Sequence, residues 1–472
     1  MKNDFSKITP QLKRLGSLLI IILFAYGAFL FLTPQIYRFN PQYLVETSIL
    51  KKKNFASNVQ EITSPQLKIK AYLYEEHTNP IVSVSVIIKK MGVAYEPSAL
   101  TGIGTILTDV LLKGAGKYSN ESFNEILEQK AIQLAFRNSK DNFYGNLKFI
   151  TKDQNTAAKM FNLAITQPIF AQKYIQQAKQ DIVSLYLHQT EKPDSYLLMQ
   201  AARQIYGNHP YSRTVYGTPQ TVKKISVNDL KKYLQEKITK ENLIIGISGD
   251  ISATEAENML DRMFAGIKNK KEKTVLEDID IDFSAPEFHI DKKLPQVVGY
   301  FYAKGISEQH PDFYPLKLAL EVFSGGGLTS RIQKSAREDK GLTYGVYGQI
   351  INYDKADLII GRFSSTPKNM PQLMSVLQKE WLKMGKKGIT ETELEQVKNY
   401  LTASEPLRYA DIDNLSATLA YMQKKKLGLD YLQKRNDYIN NVTLKDINRV
   451  ARQYFTKDNL RFMTIGEIEK GE

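Results

Sequence analysis

The chain has 472 residues, of which 42% are hydrophobic and 24% charged, and its formal net charge is +14. This composition is ordinary for a globular protein, and the length allows two to four domains. The absence of cysteine excludes disulfides, thiolate metal ligands and a cysteine nucleophile. The lysines are scattered, and there is no zinc-finger spacing, aromatic-interleaved basic stripe or RNA-binding motif, so no nucleic-acid partner is expected.

The N-terminal region has the pattern of a membrane-targeting segment. Residues 15–32 are uncharged and mostly apolar, and four basic residues against a single acid precede them. This pattern predicts a cytoplasmic basic tail at 1–14 and a transmembrane anchor at 15–32, with the bulk of the chain on the periplasmic side of a bacterial inner membrane. The alternative is a cleaved signal peptide ending near Gly27, which predicts a soluble periplasmic protein. Residues 33–60 are polar and form a connector.

From residue 61 onward the chain reads as two related halves. The run TKENL at 239–243 matches TKDNL at 456–460, an offset of 217 residues (456 − 239), and Gly249 pairs with Gly466 at the same offset. Each half begins with an alternating strand that precedes a helical run. We therefore predict an α+β fold of two homologous domains, 61–267 and 287–472, joined by a linker at 268–286. Each domain is expected to be a mostly antiparallel sheet packed with long helices.

The most distinctive stretch is SGGGLTSRIQKSAREDKGLTYGVY, at 324–347. It opens with Gly325, Gly326 and Gly327, which leave the backbone free to adopt conformations closed to other residues. A helix-compatible run follows at 330–339, and Gly341 lies where a helix C-cap is expected. Residues 342–347 then alternate as in a strand. Arg337 and Tyr344 lie near this junction of helix and strand, so a guanidinium and a phenol can project towards one place.

This stretch resembles the second-domain motif of the insulinase/pitrilysin-type zinc metallopeptidases, in particular the bacterial two-domain, processing-peptidase-like subgroup. The run GNHPYSRTVYG at 207–217 is also similar to a family motif. The resemblance implies a clam-like chamber for unfolded peptides, in which Arg337 and Tyr344 bind substrate. An arginine and a phenol can both donate hydrogen bonds to a carbonyl oxygen that gains charge during hydrolysis. The alternative is that Arg337 forms a helix-terminal salt bridge and Tyr344 packs on the core.

The zinc site that the family requires is degenerate in this chain. The family places His-x-x-Glu-His on a first-domain helix, where two imidazoles bind zinc and the glutamate activates water. Alignment through Gly102 puts Thr105 and Asp109 at the histidine positions and Thr108 at the glutamate position. The distal glutamate position falls near Leu185 or Tyr186.

The histidines do not rebuild a metal site elsewhere. No two of the five histidines lie within five residues of each other, so none forms a chelating pair on one helix or hairpin. His188 and Glu191 have helical spacing near the distal position, but an exposed histidine on a helix face is the ordinary explanation. We therefore expect no metal in this chain, and the resemblance places the zinc on a partner subunit.

Loss of the zinc ligands with retention of Arg337 and Tyr344 suggests a division of labour between two chains. The resemblance implies a non-catalytic subunit of a heterodimeric zinc peptidase, whose partner is a homologous subunit with an intact zinc motif. An unfolded peptide is expected to add as a β-strand to an exposed sheet edge. One alternative is a membrane-anchored scaffold or assembly protein that uses the peptidase-like fold for protein interaction. Another, a metal-dependent peptidase with an unorthodox site, requires stoichiometric zinc.

Overall fold

The computed structural model describes residues 59–270, 274–279, 281–283, 287–325 and 330–469, without the side chains of 405–408. Among the residues in these ranges, no helix is long and apolar enough to cross a membrane. The expected single-pass location in the inner membrane is therefore corrected, because the structure gives it no support. The segments on which it rested, 1–14 and 15–32, lie outside the described residues, as does nearly all of the connector.

The first domain contains a six-stranded mixed sheet. Its strands lie in the order β1-β2-β6-β3-β5-β4, and only the β2–β6 pair is parallel. The central strand β3, IVSVSVIIK, is rich in β-branched residues, and seven of its nine residues are buried. The strands are β1 (Val59–Thr63), β2 (Lys70–Glu75), β3 (Ile81–Lys89), β4 (Gln133–Asn138), β5 (Asn142–Ile150) and β6 (Leu243–Gly249).

Most helices of the first domain pack on one face of this sheet and form with it a single large apolar cluster. The helices are α1 (Ile103–Val110), α2 (Asn120–Gln129), α3 (Gln154–Thr166), α4 (Gln172–Glu191), α5 (Pro193–Tyr206), α6 (Pro219–Lys224), α7 (Val227–Lys237) and α8 (Ala253–Met263). Side chains fix several of their starts. In α7, for example, Ser226 and Asp229 form a reciprocal capping box.

The second domain repeats this arrangement with five strands in the order β7-β11-β8-β10-β9, in which only the β7–β11 pair is parallel. Trp381 is fully buried among aromatic rings at the centre of its core. The strands are β7 (Phe288–Ile290), β8 (Val297–Lys304), β9 (Val346–Asn352), β10 (Asp357–Ser365) and β11 (Arg461–Ile465). The helices are α9 (Phe313–Ser324), α10 (Met370–Lys387), α11 (Glu391–Arg408), α12 (Ile412–Lys425), α13 (Tyr431–Asn440) and α14 (Leu444–Tyr454).

The repeat seen in the sequence is a repeat in three dimensions, and the two-domain α+β prediction is confirmed. A short 3₁₀ turn leads into β6 in one domain and into β11 in the other. Both strands lead to a glycine with positive φ, Gly249 at 124° and Gly466 at 138°. The capping box of α7 recurs at α14, where Thr443 and Asp446 lie 217 residues after Ser226 and Asp229. The domain boundaries given above remain predictions.

One helix of each domain packs on the sheet of the other domain. Leu197 and Ala201 of α5 pack on side chains of β8 and β11, while Leu415 and Leu419 of α12 pack on tyrosines of β2. The approach of α12 is close because Gly246 of β6 has no side chain. A Cβ there would lie 2.0 Å from the Ser416 carbonyl oxygen. The Ser416 hydroxyl also lies within hydrogen-bond distance of two serine hydroxyls of β3, at 3.1 and 3.0 Å.

Candidate functional site

The glycine-rich stretch lies between α9 and β9, and its helical part has π geometry over Gln333–Glu338. Gly341, with φ of +60°, ends this helix as expected, and its N–H donates to the Arg337 carbonyl at 3.0 Å. Gly325 directly follows α9. Gly326 and Gly327 lie outside the described residues.

Arg331 anchors this helix to α11. Its Nε and Nη2 donate to the two carboxylate oxygens of Glu393 at 2.7 and 2.8 Å, and Nη2 also reaches the Gly388 carbonyl at 2.9 Å. Burial raises the pKa of Glu393, but the hydrogen bonds from Arg331 and from the Thr390 N–H outweigh it and hold that pKa at about 2. No sequence pattern predicts this pair, although Arg331 belongs to the motif at 324–347.

Arg337 and Tyr344 both extend into solvent. Arg337 is exposed in the last turn of the π-helix, and Tyr344 is 81% exposed. Within the part of the chain that the structure describes, neither side chain has a hydrogen bond or ion pair, so the alternative roles in a salt bridge and in the core are not seen. The expected strand at 342–347 is wrong in its start, because β9 begins at Val346. The Thr343 hydroxyl donates to the Ser364 carbonyl at 2.8 Å and accepts the Gly345 N–H, which fixes a turn around Tyr344.

The degenerate zinc positions lie on α1 and have other partners. The Thr105 hydroxyl donates to the Val215 carbonyl, and the Thr108 hydroxyl donates to the Thr105 carbonyl at 2.7 Å. Asp109 forms an ion pair with Lys113, one turn further on, at 3.1 Å. Leu185 and His188 lie on α4, which packs against α1. No group of three side chains suited to a metal ion occurs within the described ranges.

A buried carboxylate holds the start of α1. Glu96 is 4% exposed, and its two oxygens accept the N–H groups of Gly102 and Gly104 at 2.6 and 2.9 Å. The Asn138 amide donates to the same carboxylate at 3.1 Å. Burial raises the pKa of Glu96 to about 7 against the lowering effect of these donors and of the nearby Arg213 guanidinium. A single glutamate in a loop carries no recognisable pattern, so the sequence does not predict this contact.

The 207–217 loop of the first domain contacts the second domain. Tyr211 is fully buried, and its hydroxyl donates to Asp141 at 2.7 Å and accepts the Lys355 N–H at 3.0 Å. His209 has a structural contact here, because its Nδ1 accepts the Tyr211 N–H at 3.2 Å. Lys355 belongs to the turn between β9 and β10, so this hydrogen bond crosses from the first domain to the second.

A cavity of about 860 Å³ lies between the domains. Its floor is the face of β9 and β10, its roof is α5, and residues 212–218 form one wall. The roof presents Leu198, Ala202 and Ile205, which recur at helical spacing along α5. The floor presents tyrosine, glutamine, isoleucine, leucine and arginine side chains from alternate positions of the two strands.

The fold and the motif geometry define a peptidase-like chain of two homologous α+β domains. Two family models match it: "Insulinase (Peptidase family M16)" over residues 70–219 and "Peptidase M16 inactive domain" over residues 224–401. The chain belongs to this insulinase family, as its motifs suggested.

Similar proteins agree with this placement. A Helicobacter pylori protein named "Non-peptidase homolog YmxG" is 24% identical over 416 residues, which cover 87% of this chain and 94% of that protein. A Bacillus subtilis protein named "Uncharacterized zinc protease YmxG" is 24% identical, with coverage of 78% and 89%. The structure of a peptidase M16 inactive domain from Pseudomonas fluorescens superposes with a TM-score of 0.82 at 20% identity, covering 88% of this chain and 99% of its own. At the family level the inactive-domain model and the Helicobacter pylori relative support an inactive, non-peptidase homologue, whereas the Pseudomonas fluorescens structure shows the shared fold.

Proposed function

We propose that this chain is the non-catalytic subunit of a two-chain zinc peptidase and supplies Arg337 and Tyr344 to the bound peptide. The observation that carries the proposal is the state of these two side chains. Both are exposed, and neither has a hydrogen bond or ion pair within the described ranges. An arginine that forms no ion pair within the described ranges keeps its donors available for a substrate carbonyl, whereas a salt bridge would have to break first.

The hydrogen-bond donors of Arg337 and Tyr344 indicate what this chain would contribute to peptide hydrolysis. The tetrahedral intermediate of peptide hydrolysis places negative charge on the former carbonyl oxygen, and an arginine and a phenol both donate hydrogen bonds to such an oxygen. Donors that are already positioned need little reorganisation during the reaction. The anchoring of the π-helix by Arg331 and the turn fixed by Thr343 support such a position.

The side chains at the zinc positions of α1 favour a metal site on another subunit. Two threonines and an aspartate paired with lysine stand at the family's ligand and base positions. Neutral threonine hydroxyls are poor zinc ligands, and neither can serve as a general base near neutral pH. The expected partner is therefore a homologous chain with an intact His-x-x-Glu-His helix, which would hold the zinc and activate its water.

The test begins with co-purification of the tagged full-length chain, with associated chains identified by mass spectrometry. A stoichiometric partner with the intact zinc motif supports the proposal. Recovery of only the chain itself or of an unrelated complex overturns it, and favours a scaffold role.

The second step is a peptidase assay of the reconstituted complex with an unfolded polypeptide. We expect Arg337→Ala to lower kcat roughly 10²-fold, the range for loss of one oxyanion donor, and Tyr344→Phe to lower it less. Arg262→Ala, at an exposed site on α8, is the matched control. Unchanged kcat in both site variants would contradict the proposed role.

A further inference from the structure

We propose that Lys140 is a nucleophilic amine that captures apolar aldehydes in the cavity between the domains, by forming an imine with them. This is a further activity of the chain, and it does not depend on the proposed half-site role of Arg337 and Tyr344. Three features of Lys140 support it: a fixed backbone, an amine held by two carbonyl groups, and an apolar space beside that amine.

Lys140 lies in the short turn between β4 and β5, and the backbone of this turn is held in place. The carbonyl groups of residues 139–141 accept the N–H groups of residues 92–94, at distances from 2.9 to 3.0 Å. Gly92 permits this close approach, because a Cβ there would lie 2.5 Å from the Lys140 carbonyl oxygen. The turn therefore gives the Lys140 side chain a rigid base, from which it reaches the lining of the cavity.

The amine of Lys140 has two backbone acceptors. Its Nζ donates to the Tyr211 carbonyl at 2.7 Å and to the Arg213 carbonyl. A neutral amine has two N–H groups, so it satisfies both carbonyls and keeps its lone pair free. An ammonium group has a third N–H, and no described residue provides a third acceptor for it. The surroundings of this amine therefore suit its neutral form.

The electrostatic surroundings act in the same direction. Burial lowers the pKa of Lys140 to about 8, although the adjacent Asp141 carboxylate raises it. The other charged or titratable groups beside it have their own partners, since the Arg213 guanidinium donates to the Glu96 carbonyl and the Tyr211 hydroxyl donates to Asp141.

This pKa makes the nucleophilic form of the amine abundant near neutral pH. About 10% of an amine with a pKa of about 8 is neutral at pH 7, against about 0.03% of an amine with the ordinary lysine pKa of 10.5. Because only the neutral amine attacks a carbonyl carbon, Lys140 is better prepared for this reaction than an exposed lysine.

The cavity of about 860 Å³ selects an apolar partner for this amine. Leu198 and Ile205 line it from the roof, and Ile351 and Ile360 line it from the floor. The described lining residues include neither aspartate nor glutamate, so no carboxylate of the lining competes for the amine. A molecule with an alkyl chain or an aromatic ring gains apolar contacts on entry, and a cavity of this size accepts it whole.

The reaction joins the amine and the aldehyde with loss of water. The Nζ lone pair attacks the carbonyl carbon, and the displaced electrons take up a proton on oxygen, while nitrogen loses one, to give a carbinolamine. The hydroxyl then takes up a proton and leaves as water, and the nitrogen loses its remaining proton to solvent. A C=N bond remains, and no oxidant or reductant is consumed.

The test is trapping of the imine on the purified full-length chain. The probe is decanal at pH 7 with sodium cyanoborohydride, which reduces the C=N bond to a stable secondary amine. Mass spectrometry of peptide digests then gives the rate at each lysine. We expect Lys140 to react at least 10-fold faster than Lys179, which also donates to a backbone carbonyl and has a lowered pKa but does not line the cavity. Butanal, with its short chain, should lose most of this selectivity.

Variants separate the amine from the cavity. Lys140→Arg keeps a cation and donors for the two carbonyls but should abolish the fast adduct, and Lys179→Gln should leave it unchanged. Leu198→Trp, which fills the cavity from a position that is 38% exposed, should slow the reaction of Lys140 at least 10-fold while the amine remains. If Lys140→Arg fails to fold, the comparison of the wild type with Leu198→Trp decides. Equal rates at Lys140 and Lys179, or a Lys140 rate that Leu198→Trp does not change, overturn the proposal.

The pH profile distinguishes a reactive amine from a merely accessible one. Between pH 7 and pH 9 the rate at Lys140 should rise about 10-fold and level off above its pKa, whereas the rate at an ordinary amine rises about 100-fold. A Lys140 rate that rises as steeply as that of an ordinary lysine contradicts the proposal.

Discussion

The carboxylate of Asp141, in the turn between β4 and β5, accepts the backbone N–H of Asp354 at 3.0 Å, and thereby joins the first domain to the second. Asp141 is only 4% exposed. Burial, reinforced by the nearby Asp354 carboxylate, raises its pKa to about 6. Lys424 of α12 forms an ion pair with Asp354 at 3.0 Å, and thereby compensates part of the negative charge of these two carboxylates. The two domains therefore meet through a buried polar network as well as through apolar packing.

Tyr211→Phe tests this network. The variant removes a hydroxyl that donates to the buried Asp141 and accepts the Lys355 N–H, and leaves both groups without that partner. We expect a loss of about 1–3 kcal/mol in the free energy of unfolding, since unsatisfied buried polar groups carry this cost. Urea denaturation measures it. Tyr400→Phe, at a tyrosine that is 46% exposed, is the control and should change stability little. Equal effects of the two variants would contradict the importance of the network.

Gly246→Ala tests the close contact between α12 and the first sheet. The added methyl would lie 2.0 Å from the Ser416 carbonyl oxygen, so the helix must shift. Overpacking of this kind costs about 1–3 kcal/mol. Gly145→Ala, in β5 of the same sheet, is the matched control. Its methyl would meet phenylalanine ring atoms at 3.1 and 3.2 Å, a much milder contact than the 2.0 Å approach at Gly246. Thermal unfolding should show the larger loss for Gly246→Ala, and the reverse order would contradict this account.

Glu96→Gln tests the buried carboxylate under α1. Because the folded pKa is raised to about 7 from an ordinary 4.5, the folded state binds more protons than the unfolded state between these values. The wild type therefore loses stability as pH rises from about 4.5 to 7, by at most about 3 kcal/mol. Glutamine does not titrate, so the variant should lack this slope, whatever constant cost its amide brings.

The measurement is the difference in unfolding free energy between the variant and the wild type at several values from pH 5 to pH 8. The difference should move in favour of the variant as pH rises. A difference that is constant across this range would show that the pKa of Glu96 is not raised.

The sequence predicts the elements whose signals are local. The offset of 217 residues identifies β6 and β11, because the same short turn and the same glycine end each copy. Gly341 predicts the end of the π-helix, because a left-handed residue there favours glycine. The start of β9 could not be predicted, because the Thr343 hydroxyl bonds to Ser364, which lies 21 residues further on. The packing of α5 and α12 on the other domain's sheet could not be predicted either, because the pattern of an amphipathic helix does not indicate which sheet it will cover.

The last prediction concerns the Arg331–Glu393 pair, which positions the π-helix that carries Arg337. The side chains are 13% and 26% exposed and share two hydrogen bonds. We expect a double-mutant cycle with Arg331→Gln and Glu393→Gln to give a coupling of about 1–2 kcal/mol near pH 7. The pKa of Glu393 is lowered to about 2, so its stabilising effect is full above an ordinary carboxyl pKa of about 4.5 and is lost as pH falls towards 2.

The same cycle measured at pH 3 should therefore give a smaller coupling than at pH 7. A coupling that does not change between these values would contradict a charge-dependent anchor. Arg331→Lys should keep part of the coupling but not the paired geometry, because lysine cannot donate in the planar, two-pronged arrangement of a guanidinium.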